Sequence, residues 1–153
     1  MKEQNTAVKP LGIPYGMMNF VAIREDNYYY VDKTRFVEKI ENSNRYFFFI
    51  RPRRFGKSLT MSMLRHYYDI NTADKFEQLY GDLYIGKNPT PNRNKYLVIN
   101  LNFAVVNADL GNYRSAMDAH CRIEFTMFCR RYANLLPSSC LDEMIKEDGA
   151  VKQ

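Results

Sequence analysis

Apolar positions along this chain recur with two different periods, and the changes of period mark its elements. Phe36, Val37 and Ile40 are spaced to bury one helical face, with Asp32 or Thr34 available as a cap and Asn42-Ser43-Asn44 as a break. The run Tyr46-Phe47-Phe48-Phe49-Ile50 is continuously apolar, as a strand buried on both faces of a parallel sheet would be. Leu59, Met63, Leu64, Tyr67 and Tyr68 return to helical spacing and predict a helix from about Gly56 to Asp69. A shorter helix over Ala73 to Tyr80 should end at Gly81, and Gly86 to Lys95 reads as a surface loop. In Tyr96 to Phe103, Leu97, Ile99, Leu101 and Phe103 alternate with Val98, Asn100 and Asn102, predicting a second strand. From Asn112 the positions Tyr113, Met117, Cys121, Phe125, Phe128, Tyr132 and Leu135 step by three or four, a long helix stopped at Pro137. Ser139 with Asp142 can open a last short helix.

The amino-terminal part is less regular. Residues 1–10 are polar and predict a flexible tail, leaving 11–153 as one folded region. Leu11 to Phe20, with Gly12, Pro14 and Gly16, reads as an irregular entry segment, and Tyr28-Tyr29-Tyr30-Val31 as a short strand. The resulting order is strand, helix, strand, loop, helix, helix, strand, helix. The long crossover between the two strongest strands predicts an α/β fold with parallel pairing.

Composition narrows the setting. The chain has 153 residues, 46% of them hydrophobic, enough for one domain with a core. The three cysteines, Cys121, Cys129 and Cys140, are odd in number and lack paired spacing. They argue against a disulfide framework or a zinc site and for a reducing compartment. The first residues lack the apolar core of a signal peptide, and the longest apolar run is far too short to span a membrane. The expected setting is the cytoplasm. The formal charge of +5 leaves a polyanionic partner open without requiring one.

The segment with the clearest chemistry is RPRRFGKS, Arg51 to Ser58, between the apolar run and the amphipathic helix. Backbone N–H groups around Phe55 to Ser58 can face an anion, and the helix opening at Gly56 adds the positive end of its dipole. Lys57 is placed to reach outer phosphates, and the Ser58 hydroxyl to ligate Mg²⁺ held by a nucleotide. Gly56 allows close backbone approach. The usual phosphate loop begins with Gly, and here Arg51 stands in that place, followed by Pro52, which has no N–H. Arg51, Arg53 and Arg54 add cations suited to phosphate. The bland alternative is a basic turn whose Gly merely lets the helix start.

IPYGMMNF, REDNYYYVDKT, FFFIRPRRFGKSLTMSMLRHYYD, GDLYIGKNPTP and YLVINLNF together resemble the AAA-ATPase-like proteins over about Leu11 to Leu136. These are bacterial predicted P-loop ATPases, common in gut Bacteroidetes and other anaerobes, often with a carboxyl-terminal nuclease-like domain of the PD-(D/E)XK type. RPRRFGKS is a hallmark of that family, so Arg51 is its own variant of the loop. The resemblance implies the first part of a three-layer αβα P-loop core with a mainly parallel sheet, lacking its later strands. It implies ATP and Mg²⁺ as cofactors, held by Arg51, Arg53, Arg54, Phe55, Gly56, Lys57, Ser58 and Leu59. The acidic strand end that holds Mg²⁺ and orients water is missing. Tyr96 to Phe103 ends in Asn100 and Asn102, and Val105-Val106-Asn107-Ala108-Asp109 fits poorly. In the family that element comes later, so the chain reads as truncated before it, with hydrolysis dependent on downstream residues.

The expected partners are a nucleotide, the downstream domain of the same protein or a second copy of the chain, and no membrane. A nucleic-acid-binding or non-catalytic interaction module with a vestigial loop is the rival reading. His66 and His120 stand alone and read as ordinary helix residues. Asn100 and Asn102 lie at a strand end, where one could face a γ-phosphate or simply meet solvent.

Overall fold

The computed structural model describes residues 11–43, 46–106, 112–137 and 139–140. The chain forms two compact units, divided after Tyr96. The first holds helices α1 (Phe20–Glu25), α2 (Phe36–Glu41), α3 (Lys57–Tyr68), α4 (Phe76–Tyr80) and α5 (Tyr84–Lys87), with a 3₁₀ turn at Ile70–Thr72. The second holds a 3₁₀ turn at Phe103–Val105 and the long α6 (Tyr113–Arg131).

The first unit is built around the apolar face of α3. Met63 and Tyr67 meet Phe20, Val37, Phe76, Leu79, Tyr80, Leu83 and Ile85 in one buried cluster, with Leu59 and Leu64 packed at its margin. Tyr67 and Tyr80 meet edge to face, and Phe76 stacks on Tyr80. Aromatic pairs of this kind add specific geometry to apolar burial. The Tyr80 hydroxyl donates to the Met63 carbonyl at 2.7 Å, so the buried phenol keeps a partner. Burial pushes its ionisation well above the ordinary tyrosine range.

Short helices are held by polar anchors. Asn19 caps α1 by accepting from the Val21 and Ala22 N–H groups. Ser62 on α3 accepts from the Phe20 N–H at 3.1 Å. Arg24 donates to the Leu79 carbonyl at 2.9 Å and pairs with Asp82. Glu41, at the end of α2, accepts from the Tyr68 hydroxyl, the Thr90 hydroxyl and the Asn92 amide. Asn94, with φ 50°, is fixed by donating its N–H to the Tyr67 carbonyl and its side-chain amide to the Asp69 carbonyl. These bonds order the 88–95 segment, which begins after α5 rather than at Gly86.

The expected α/β core is corrected by this architecture. Among the described residues the β-type pairing is a single parallel bridge, Asp69 with Tyr96, and there is no sheet. Tyr46 to Ile50 is not a buried strand: Tyr46, Phe48 and Ile50 are 81%, 86% and 86% exposed. Tyr96 to Phe103 is not a strand either: beyond the bridge at Tyr96, the backbone from Leu97 to Asn102 is irregular before the 3₁₀ turn. Tyr28 to Val31 is likewise irregular, tied by the Tyr29 N–H to the Gly12 carbonyl at 2.9 Å. The physical reason is common to all three. A strand satisfies its backbone only through a neighbour, and apart from that one bridge none of these segments has a ladder partner among the described residues.

The helical expectations fare better. Those over 36–40, 56–69, 73–80 and 113–135 correspond to α2, α3, α4 and α6, with α4 starting later than expected because the 3₁₀ turn precedes it. Helices α1 and α5 lie where the apolar pattern predicts none. In the second unit the Tyr132 hydroxyl, on a buried side chain, donates to the Val98 carbonyl and accepts from the Val98 N–H. Cys129 and Cys140 form a disulfide and Cys121 is free, which runs against the expectation that the cysteines build no disulfide framework. Asp142 and Asn107 to Asp109 lie outside the described residues.

Candidate functional site

The amphipathic α3 positions the loop. Leu59 anchors its first turn against the core, and Met63 and Tyr67 continue the buried stripe. The Thr60 N–H donates to the Gly56 carbonyl at 2.8 Å, the first helical bond. No side chain caps this end. The first-turn N–H groups of a helix have no partners within it, and they carry the positive end of its dipole.

Gly56 sits at φ 75°, in the left-handed region, and a Cβ there would meet nothing within 4 Å. Its role here is conformational rather than the removal of a clash. Arg54 is also left-handed, at φ 64°. These two residues turn the chain between Ile50 and the start of α3.

That turn brings the Lys57 ammonium back onto the loop. Its Nζ donates to the Arg51 carbonyl at 2.5 Å and to the Pro52 carbonyl at 3.1 Å. The Arg51 guanidinium lies over the Phe49 ring, 5.8 Å from its centroid. Arg53, Arg54 and Phe55 are exposed, as is Ser58, and Leu59 is partly buried. The ion pairs among the described residues are Arg24 with Asp82 and Lys75 with Glu25, and neither touches the loop. The loop therefore gathers cations and helix-end donors without a bound carboxylate. A polyphosphate fits such a donor set, because the two carbonyls that hold Lys57 are neutral and leave one of its three N–H donors for an anion.

Beside the loop is a pocket of about 240 Å³ lined by Ile40, Phe47, Phe49, Lys57, Thr60, Met61 and Leu64. The sequence pattern did not reveal it, since it joins the apolar run to one side of α3 and the end of α2. The signal available was the Thr60 and Leu64 pair, one turn apart beside Lys57.

Other sequence candidates are placed elsewhere. His66 donates from Nδ1 to the Ser62 carbonyl at 2.7 Å, and its Nε2 lies 3.5 Å from an Arg65 nitrogen. Asn102 accepts from the Ala104 N–H at 3.2 Å and caps the 3₁₀ turn; Asn100 is exposed. His120 lies edge-on to Phe103. Each of these residues belongs to its own local structure.

Asp32 and Thr34 do something the sequence did not reveal. Rather than capping α2, whose start carries no side-chain cap, they cap α5 from about fifty positions away. Asp32 Oδ2 accepts from the Tyr84 N–H at 2.7 Å, and Thr34 Oγ1 accepts from the Ile85 N–H at 3.1 Å. Asp32 Oδ1 also accepts from the Thr34 hydroxyl and N–H, at 2.7 and 2.8 Å. Burial alone would raise the Asp32 pKa, but these bonds and the nearby Arg24 charge outweigh it and hold the carboxyl below its ordinary value. Burial, with the Asp32 charge, pushes Tyr30 up to about 12.

Comparison with known proteins places this loop in context. The family model AAA-ATPase-like, described as "Predicted AAA-ATPase", matches residues 14–150. A curated protein of Azotobacter chroococcum mcd 1, titled "Uncharacterized protein in vnfD 5'region", is 49% identical over 53 residues. That match covers 34% of this chain and 10% of the relative, so the chain spans about a tenth of the length of the curated relative it matches. No solved structure matches significantly. Among the described residues no helix is long and apolar enough to cross a membrane.

Proposed function

This chain belongs to the AAA-ATPase-like family of predicted AAA-ATPases, and on that premise we propose that Arg51 to Leu59 binds the phosphates of ATP. The observation that carries the proposal is the Lys57 ammonium, held by two backbone carbonyls at the uncapped start of α3. Lys57 supplies the charge, the first-turn N–H groups supply the donors, and Gly56 gives the backbone its turn. Ser58, exposed in the first turn, is the residue that would ligate Mg²⁺. Bound Mg²⁺ would bridge phosphate oxygens and neutralise their charge. Arg53 and Arg54 add exposed guanidinium groups for the same anion.

Hydrolysis needs a carboxylate to hold the metal and orient water. Neither the pocket lining nor the hydrogen bonds of the loop include one among the described residues. Turnover by these 153 residues should therefore stay at background. The test is calorimetric titration of the chain with MgATP. Wild type should bind, and Lys57→Ala should weaken binding by at least about tenfold, the scale of one charge-assisted contact. Equal affinity of the two proteins would remove the loop from nucleotide binding.

A second reading rests on charge placement. Between Asn42 and Tyr68 there is no Asp or Glu, while Arg45, Arg51, Arg53, Arg54, Lys57 and Arg65 all fall there. Exposed Tyr46, Phe48 and Phe55 flank the cations. Single-stranded nucleic acid uses such rings for stacking and such charges for its backbone. Its binding would fall steeply with salt and survive Lys57→Ala.

A further inference from the structure

We infer that Cys129 and Cys140 form a reversible thiol–disulfide switch whose state decides whether Tyr132 clasps the backbone at Val98. The switch is independent of the nucleotide reading, because every group in it belongs to the second unit. The two cysteines are 11 positions apart, with Cα atoms 6.3 Å from each other, within the range that a disulfide bridges without moving the chain. Cys129 is on α6 and buried, whereas Cys140, beyond Pro137, is partly exposed. Between them in sequence lies Tyr132, at the end of α6, also buried.

The Tyr132 hydroxyl accepts from the Val98 N–H at 2.9 Å and donates to the Val98 carbonyl at 3.4 Å. Among the described residues, no other hydrogen bond reaches the backbone from Leu97 to Leu101. One phenol therefore holds a stretch that has no ladder partner. It can serve both groups of Val98 only while its ring stays in place. Phe128 meets that ring edge to face, 4.9 Å between centroids. The chain then returns toward α6, with the Leu135 and Leu136 N–H groups donating to the Tyr132 carbonyl at 2.8 and 2.9 Å. The disulfide ties the far end of this return to Cys129, just ahead of the tyrosine. With the bond open, 133–140 regains the freedom that the cross-link removed, and Pro137 offers no N–H to restrain it. Tyr132 loses its fixed setting and the clasp on Val98 loosens.

Exchange enters at Cys140, the more accessible sulfur. The thiolate of a small thiol attacks Cys140 Sγ, the sulfur–sulfur bond breaks, and the Cys129 sulfur leaves as a thiolate that takes up a proton. A second thiolate attacks the mixed disulfide and releases Cys140, which is protonated in turn. Two thiols are thus oxidised to one disulfide as the two cysteines are reduced, and a small disulfide reverses the sequence. Reducing compartments, which the odd cysteine count favours, use disulfides mainly in this transient way.

Amide hydrogen exchange of the 153-residue chain tests the switch, read at Val98 in glutathione disulfide and then in reduced glutathione. Reduction should speed Val98 exchange by at least about tenfold, well inside what closing a loop of this length can supply, and returning the oxidant should restore it. Thr60, whose N–H bonds to the Gly56 carbonyl in the first unit, should change by less than about threefold. Cys140→Ser should match the reduced chain under both conditions, and the reduced wild type gives the same comparison without a substitution. Tyr132→Phe keeps the disulfide and removes the acceptor, so its Val98 should exchange fast and ignore redox state. The switch is overturned if Val98 exchanges alike in both states, or responds to redox state as strongly in Tyr132→Phe. A bond that reduced glutathione leaves intact in the folded chain, or a Thr60 that follows Val98, would make the disulfide a permanent staple and overturn it equally.

Discussion

The cap that Asp32 and Thr34 place on α5 makes a sharp test of the first unit. Thr34 is fully buried. Its hydroxyl donates to Asp32 and accepts from the buried Ile85 N–H. Thr34→Val keeps the shape and removes the oxygen. The Ile85 N–H then lies buried without its acceptor, which costs about 1–3 kcal/mol. Asp32 loses one donor but keeps the Thr34 and Tyr84 N–H groups, and it is exposed to water. That second loss should fall near the low end for a charged hydrogen bond. The total expected is about 2–3 kcal/mol, a fall in melting temperature of roughly 10–20 °C for a unit of this size.

Thr34→Ser restores the hydroxyl and should recover most of the loss, leaving only a missing methyl. Acid sensitivity gives an independent readout. The Asp32 carboxyl is held below its ordinary value in the folded chain. Its contribution is therefore fully present above the unfolded pKa, near 3.8, and is lost as pH falls through the lower folded value. Asp32→Asn should destabilise at neutral pH by only about 1 kcal/mol, since water screens the exposed carboxylate, and flatten this part of the acid limb. Urea melts across the acid range measure both. Thr34→Val within about 0.5 kcal/mol of wild type, the usual scatter of neutral surface changes, would refute the cap.

The corner between α4 and α5 and the second unit each carry a further prediction. A Cβ on Gly86 would fall 1.9 Å from the Tyr80 carbonyl oxygen, so Gly86→Ala must displace backbone and should cost at least about 2–3 kcal/mol. Gly16→Ala, at φ +72° with open space around it, should lose only about 1 kcal/mol, and thermal melts of the pair separate clash from backbone strain. The Cys129–Cys140 disulfide closes a short loop at the end of α6, with the partners 11 positions apart. Reduction, or Cys140→Ser, should lower stability by about 2–3 kcal/mol. Thiol titration of the denatured, unreduced chain should find Cys121 alone, and three reactive thiols would overturn the pairing.

What was legible in the sequence follows from where each element finds its hydrogen bonds. A helix closes its own ladder within a few residues, so the stripe Leu59, Met63, Leu64 and Tyr67 is enough to place α3 to within a residue at either end. The run Tyr46 to Ile50 says only that its side chains are apolar. Whether it forms a strand depends on a neighbour that no local pattern encodes, and here its rings stay largely exposed. α1 and α5 escape the pattern because six and four residues are too few to show a period.

The site divides along the same line. Gly56, Lys57 and Ser58 were legible because the motif and the helix behind it are contiguous. Three facts that decide how the loop and its unit behave were not: Lys57 turned onto the Arg51 and Pro52 carbonyls, Arg54 at positive φ, and α5 capped from Asp32 and Thr34. Each depends on backbone carbonyls or N–H groups, which every residue carries nearly alike and which composition cannot mark. Arg51 and Pro52 illustrate the consequence. By type they are a misplaced cation and a missing donor at the head of a phosphate loop. By position they contribute two carbonyls, and those oxygens hold the Lys57 ammonium at the start of α3 while its third N–H donor stays available.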